Sequence, residues 1–388
     1  MSLSNITLSA SVRQNLLSLQ DTANLLATTQ GRLATGKKVN SALDNPTNFF
    51  TAAGLDSRAS DISNLLDSIG NGVQVLQAAN TGITSLSKLV DTAKSIANQV
   101  LQAPSGYTTK SQVVSTAAIL GNAANLVDGV GIKSGETLAF AASGALPTVT
   151  VTFGATETLD QLNTALAAGN LTASLDSSNK LVITTTNDFA SSTIGAVTPG
   201  AAGTTTFVAP TAPVADPVSQ ASRASLVSQY NQIITQITTT AQDASFNGIN
   251  LLNGDTLKLV FDETGKSTST ITGVTFNPAG LGLASLTAGT DFLDNNTTNA
   301  VLTKLNTASV TLRSQASAFG ANLSIVQIRQ DFNKNLINVL QTGSSALTLA
   351  DSNEEAANSQ ALSTRQSIAT SALALANQSQ QSVLQLLR

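Results

Sequence analysis

Residues 55–101 read LDSRASDISNLLDSIGNGVQVLQAANTGITSLSKLVDTAKSIANQVL. One row holds Leu55, Ala59, Ile62, Leu66, Ile69, Val73, Leu76, Asn80, Ile83, Val90, Ala93 and Val100. The steps alternate between four and three as far as Ile83 and then include two full heptads, which is the period of a coiled-coil seam. A helix over 55–101 would be roughly 70 Å long at ~1.5 Å per residue. A helix of that length does not cover its own apolar row, so partner helices are required. Pro104 ends the run.

Toward the N-terminus a second seam holds Leu8, Val12, Leu16, Leu19, Ala23, Leu26 and Leu33. Gly36 and Lys37–Lys38 have the composition of a helix stop. Asp44–Asn45–Pro46 then reads as a turn and a new start, a capping side chain before a proline. Partners lie in the second half. A helix is predicted over 218–243 through Ala224, Val227, Tyr230, Ile234 and Ile237. A long one is predicted over 300–341 through Leu305, Leu312, Phe319, Leu323, Val326, Ile337 and Leu340. The last, over 354–387, carries Ala361, Ile368, Ala372, Leu375, Val383 and Leu386. The simplest packing pairs the outermost helices and sets the inner ones in a longer bundle.

The middle changes period. Residues 136–141, 147–153, 171–176 and 179–185 alternate as strands, with a short helix from Thr158 to Leu166 between them. This is a ββαββ unit, entered from a helix near 110–128 and left through a Gly/Pro/Thr-rich linker over 198–217. A hairpin is predicted at 256–261 and 268–276, turning at Asp262–Gly265. The fold class is therefore mainly α. Both chain ends form a long coiled-coil-like bundle, with a β-hairpin and a small inserted α+β outer domain.

Composition narrows the chemistry. The 388 residues include 19 Lys+Arg and 23 Asp+Glu, a net charge of −4, with no His, Cys or Trp. Charged residues are 11%, against about 25% in an ordinary globular chain. Missing His and Cys removes the commonest acid–base group, the thiol nucleophile, disulfides and N/S zinc sites. No basic excess exists to neutralise nucleic-acid phosphates. No apolar run reaches the roughly 18 residues of a membrane span, and no cleaved secretory signal is visible at Met1–Ala10. Glu354–Glu355 reads as a solvated helix start. Gly129-Val130-Gly131 and Gly280-Leu281-Gly282 read as turns, lacking the context of a phosphate loop. No catalytic, cofactor-binding or metal site is expected, and no enzyme activity.

The ends are unusual in charge. Between Met1 and Gly31 the charged side chains are Arg13 and Asp21 alone, and between Gln366 and Leu387 there are none. Their outer faces are Gln, Ser, Asn and Thr, where a solvated helix normally carries charge. Such helices pack in many copies without like-charge repulsion. The alternative is a low-charge bundle within one monomer. On the first reading the subunit-assembly seams are Leu8, Val12, Leu16, Leu19, Leu26, Leu33, Ile368, Ala372, Leu375, Val383, Leu386 and Leu387.

Three separated segments resemble bacterial flagellin. Gln30–Pro46, QGRLATGKKVNSALDNP, is similar to the family's RLSTGKRINSAxDDPA pattern. Ala241–Gly254, AQDASFNGINLLNG, is similar to TxFNGxNLLxG. Ala376–Gln378 and Val383–Arg388 resemble the ANQxPQxVLxLLR ending. The resemblance covers roughly 1–104 and 218–388.

It implies a structural subunit that self-polymerises into the extracellular filament used for swimming. Export would run unfolded through the flagellar type III apparatus, with an export chaperone, a filament cap and hook-associated junction proteins as partners. No nucleic acid, cofactor or membrane insertion is implied. The implied domains are 1–43 plus 352–388 for an inner tube, 44–127 plus 208–351 for an outer tube, and 128–207 as a solvent-facing insert. Many flagellins carry RVRELA in the first long helix, a segment read by an innate-immune receptor. The corresponding stretch here has Thr92, Lys94 and Ser95 where that segment has Arg, Arg and Glu, and Lys does not reproduce a bidentate guanidinium contact. The implied receptor stimulation is weak. Alternatives are a hook–filament junction protein, which usually lacks the FNG segment and the VLxLLR ending, and a filament subunit whose insert is an adhesin. A metalloprotease insert needs His ligands that this chain lacks.

Overall fold

The computed structural model describes residues 10–200 and 205–386. Helix α1 spans Ala10–Thr35 and α2 spans Pro46–Gln102. Strands β1 (Tyr107–Thr109), β2 (Gln112–Val114), β3 (Thr137–Phe140) and β4 (Val149–Thr152) follow. Helix α3 (Leu159–Leu166) precedes β5 (Leu171–Leu175), β6 (Leu181–Thr185), β7 (Val197–Pro199) and β8 (Val214–Ala215). Then come α4 (Pro217–Asp243), β9 (Thr256–Val260), β10 (Thr268–Thr272), α5 (Asn295–Thr348) and α6 (Ser352–Leu386). The predicted long helices are present, and α2 and α5 each extend beyond their apolar rows.

The chain divides into two compact units. The first comprises Met1–Asn71, Leu259–Ser269 and Ile325–Arg388. Here α1 stops because Gly36 turns left-handed at φ 67°, a conformation an L side chain resists. The Asp44 carboxylate accepts the backbone N–H groups of Asn40 (2.9 Å) and Ser41 (2.8 Å), which closes the turn. Asn45 Oδ1 accepts Asn48 N–H at 3.0 Å, and Pro46 opens α2. The sequence reading of Asp44–Asn45–Pro46 as a cap is therefore met by these bonds.

The exits of α1 and α5 are laced together. Lys38 N–H donates to the Thr348 carbonyl at 2.7 Å and Ala350 N–H to that of Gly36 at 3.0 Å. Lys37 and Leu349 form an antiparallel bridge there. Farther along, Ala59 and Ile62 of α2 pack with Leu340 of α5, flanked by Leu55, Leu336 and Ile337. The tip of the β9–β10 hairpin lies on the same helices. Glu263 pairs with Arg58 at 2.6 Å, Asn333 Nδ2 donates to the Phe261 carbonyl at 2.9 Å, and the Arg329 guanidinium sits 5.8 Å from the Phe261 ring centre.

The second unit comprises Gly72–Lys258 and Thr270–Ser324. Asp216 caps α4 through Val218 and Ser219 N–H, with Pro217 in the first turn. The FNG segment follows α4. Asn247 and Gly248 have φ of 51° and 79°, the signs a tight two-residue turn requires, and Phe246 and Ile249 bridge across it. Asn250 Nδ2 then donates to the Ala241 and Gln242 carbonyls, both at 2.8 Å, satisfying the open end of α4. Leu251 and Leu252 are buried directly behind.

Arg223, 2% exposed, binds this unit's junctions. Its Nε and Nη2 donate to the Pro104 carbonyl at 3.2 and 3.0 Å, and Nη1 to that of Phe292 at 2.8 Å. Burial pulls its pKa below the ordinary arginine value, and Asp294 opposes that shift. Phe292 is held at φ 57°, its ring edge-on to Tyr230 at 5.9 Å. Burial pushes the Tyr230 hydroxyl up to about 12.

The inserted α+β fold has the expected strand, strand, helix, strand, strand order from β3 to β6. It forms two antiparallel three-stranded sheets, β2-β6-β5 and β4-β3-β7. Their inward alternation (Leu138 and Phe140; Val149, Val151 and Phe153; Leu181 and Ile183) fills a core with Leu162 and Leu166 of α3. That core also takes in Val113, Ile119 and Leu126.

Two expectations are corrected here. Residues 110–128 are not a helix. Gln112–Val114 is a strand paired with β6, and Gly121 lies so close to the Asn125 and Leu126 carbonyls that a Cβ would clash at 2.4 and 2.9 Å. Residues 198–217 are not a free linker in the described part. Thr116 and Val208 N–H donate to the carbonyls of Thr206 (2.8 Å) and Val114 (2.9 Å), and Thr211 N–H to Gln112 (3.0 Å). Backbone pairing, which carries no side-chain signature, holds that segment on β2.

Candidate assembly interface

Helices α1 and α6 pack along each other. The end of α1 lies beside the start of α6, where Arg32 Nη1 meets Glu355 Oε1 at 3.3 Å, so the pair is antiparallel. Glu355 is buried, which corrects the reading of Glu354–Glu355 as wholly solvated. A buried carboxylate needs a partner, and Arg32 is it.

The seam residues divide between inward and outward faces. On α1, Val12 is buried and Leu19 and Leu26 are half-buried against α6, while Leu16 and Leu33 remain 37% and 42% exposed. Leu17 and Leu25 are exposed as well. On α6 the half-buried row is Ser359, Leu362, Gln366, Ala369, Leu373 and Ala376. The row read from the sequence, Ile368, Ala372 and Leu375, faces outward. Ile368 is 63% exposed and Leu375 69%. The two rows are one residue apart, about 100° around the helix. Val383 and Leu386 belong to α6; Leu8 and Leu387 lie outside the described residues.

The last part of α5 carries another outward row that the sequence reading missed. Ile325, Ile328, Phe332 and Val339 are all exposed, Phe332 at 55%. Its signal was the three–four spacing, hidden beside the stronger row of Val326 and Leu340, both buried. Large apolar side chains lined up in this way mark association surfaces rather than ordinary monomer exterior. Beside the α5 row the exposed Asp331 and Lys334 pair with each other at 3.5 Å.

The stretch with Thr92, Lys94 and Ser95, which corresponds to RVRELA, is part of α2. Ala93, Ile96 and Ala97 are buried, Thr92 and Ser95 are exposed, and Lys94 Nζ lies 3.7 Å from Asp91 one turn away. Among the described residues no helix is long and apolar enough to cross a membrane. No group of three or more metal-ligating side chains gathers among them either.

Comparison with known proteins identifies these helices. Residues 5–130 match the bacterial flagellin N-terminal helical region, and 302–387 match the bacterial flagellin C-terminal helical region. The chain is similar to flagellin FljM of Caulobacter vibrioides, 32% identical over 172 residues, 44% of this chain and 62% of that protein. It is also similar to flagellins FljO and FljK of the same organism, each 30% identical over 172 residues with the same coverage. The alignments thus span about three fifths of these relatives' own length. Matched at both ends, over more than half of its residues in total, the chain belongs to the bacterial flagellins.

Proposed function

We propose that this chain is a structural subunit that self-polymerises into the bacterial flagellar filament and serves swimming motility, with no enzymatic activity. The observation that carries this reading is the two-faced character of α6. One row packs on α1, and the second, Ile368, Ala372 and Leu375, is uncovered, lined by Thr364, Ser367 and Ser371, with Arg365 one turn before Ile368 as its single charge. A neighbouring copy is the occupant such a row suits, because identical low-charge faces repel little and stack repeatedly.

On this proposal, Leu16, Leu33, Ile368, Ala372 and Leu375, with Leu8, Val383, Leu386 and Leu387, contact neighbouring subunits. Residues 1–43 and 352–388 line the inner tube, 44–127 and 208–351 the outer tube, and 128–207 faces solvent. The chain leaves the cell through the flagellar export apparatus with a chaperone. It joins the filament beneath a cap, next to hook-associated proteins. The test is assembly of purified chain with and without 1–33 or 354–388, followed by electron microscopy. Truncated chains keep the long bundle and fail to form native-like filaments. Normal filaments from both truncations would refute the role given to the ends.

A further inference from the structure

The α1–α6 pair has a register problem. In the register set by Arg32 opposite Glu355, helical spacing places Leu26 opposite Leu362 and Leu19 opposite Ala369; all four are half-buried. A slip of one heptad places Leu19 opposite Leu362 instead, again apolar on apolar. Most other seam positions are Ser, Thr, Asn, Gln or Ala, which tolerate either partner. Apolar patterning therefore specifies the register weakly. The slip does have one sharp consequence. It puts Leu26 against the buried Glu355 carboxylate and takes Arg32 away from it.

We infer that the Arg32–Glu355 pair is the register lock of the terminal helices, a positioning element for the assembly surface proposed above, on which this inference rests. Among the described residues it is the one ion pair joining these two helices. Its net stabilisation is small, as for most partly exposed pairs. Its leverage is the penalty on the wrong register, an unpaired buried carboxylate. Register matters because it fixes where Leu16 and Leu33 stand relative to Ile368 and Leu375. A slip moves one outward row about 10 Å along the other and breaks the composite surface a neighbour would meet. The lacing of Gly36–Lys38 with Thr348–Ala350 lies at the same end and is the competing source of register.

The cysteine-free sequence allows a direct test. Two double-cysteine chains are made. One carries Leu19→Cys with Ala369→Cys, the native register; the other carries Leu19→Cys with Leu362→Cys, the slipped one. Each is oxidised as the full chain under assembly conditions. Mixing isotope-labelled with unlabelled chain separates links within a copy from links between copies. In the parent background the native link should exceed the slipped one at least tenfold. Arg32→Gln and, separately, Glu355→Gln should lower that ratio at least tenfold, while Arg32→Lys, which keeps the charge, holds it near the parent value. An unchanged ratio in both Gln variants would show that the backbone lacing sets the register and overturn the proposal. Loss of both links would also overturn it, by making the pair a condition of helix association rather than of alignment. Arg32→Lys behaving as Arg32→Gln would overturn the electrostatic basis. Micrographs of the same parent samples keep the two readings apart. A native link without filaments defeats the filament proposal and leaves the lock standing.

Discussion

Gly82 offers a sharp test of the packing in the second unit, because helix propensity and tertiary contact pull in opposite directions there. Replacing a helical glycine by alanine normally stabilises by about 1 kcal/mol. At Gly320 of α5 a new Cβ meets nothing within 4 Å, so Gly320→Ala should gain that full amount. At Gly82 of α2 the new Cβ would lie 2.6 Å from both Ala244 Cβ and Leu252 Cδ1. Neither neighbour yields easily. Ala244 Cβ is fixed to the backbone where α4 ends, and Leu252 is fully buried. Overpacking of this kind costs about 1–3 kcal/mol. Gly82→Ala should therefore lose up to about 2 kcal/mol net and fall about 1–3 kcal/mol below Gly320→Ala. Both glycines belong to the same compact unit, so urea unfolding followed by helical circular dichroism compares them directly. A Gly82→Ala midpoint equal to or above that of Gly320→Ala would refute the close approach of α2 to the 244–252 segment.

Leu375→Asp, on a face that is open in the single chain, should leave monomer stability within about 0.5 kcal/mol and block filament growth in a light-scattering assay; unhindered growth would count against that face. Arg223→Met removes three hydrogen bonds to the Pro104 and Phe292 carbonyls and should cost about 2–4 kcal/mol in urea unfolding, with a loss under 1 kcal/mol contradicting its role at the junction. The Asp44 carboxyl is held below its ordinary value, first by the Ser41 backbone N–H and then by that of Asn40. A depressed folded-state pKa adds stability above the unfolded value and loses it as pH falls through the folded one. Asp44→Asn should accordingly flatten the decline in thermal midpoint between about pH 5 and pH 2; an unchanged slope would disprove the contribution. Thr92, Lys94 and Ser95 lead us to expect weak stimulation in an innate-immune receptor reporter assay, and full potency at ordinary flagellin doses would overturn that expectation.

The ends of the elements were legible wherever local chemistry decides them. Asn45–Pro46 starts α2, Gly36 stops α1, and the Val149–Val151–Phe153 alternation announces a strand. Each of these depends on a side chain's effect on its own backbone or on a period within one segment. The strand at 112–114 and the pinned segment 205–211 were not legible, because their order comes from hydrogen bonds to residues some 70 to 100 positions away.

What the sequence settled unaided was that α1 and α6 carry apolar rows and that 366–387 holds no charge, since period and composition are properties of the chain itself. Which row turns inward is a different kind of fact. Leu362 and Ile368 both repeat at helical spacing, and only the approach of α1 from one side, with Arg32 meeting Glu355 at its end, half-buries the first and leaves the second in solvent. Periodicity states that a face is apolar. What covers that face is decided by a second surface, and no single helix encodes one.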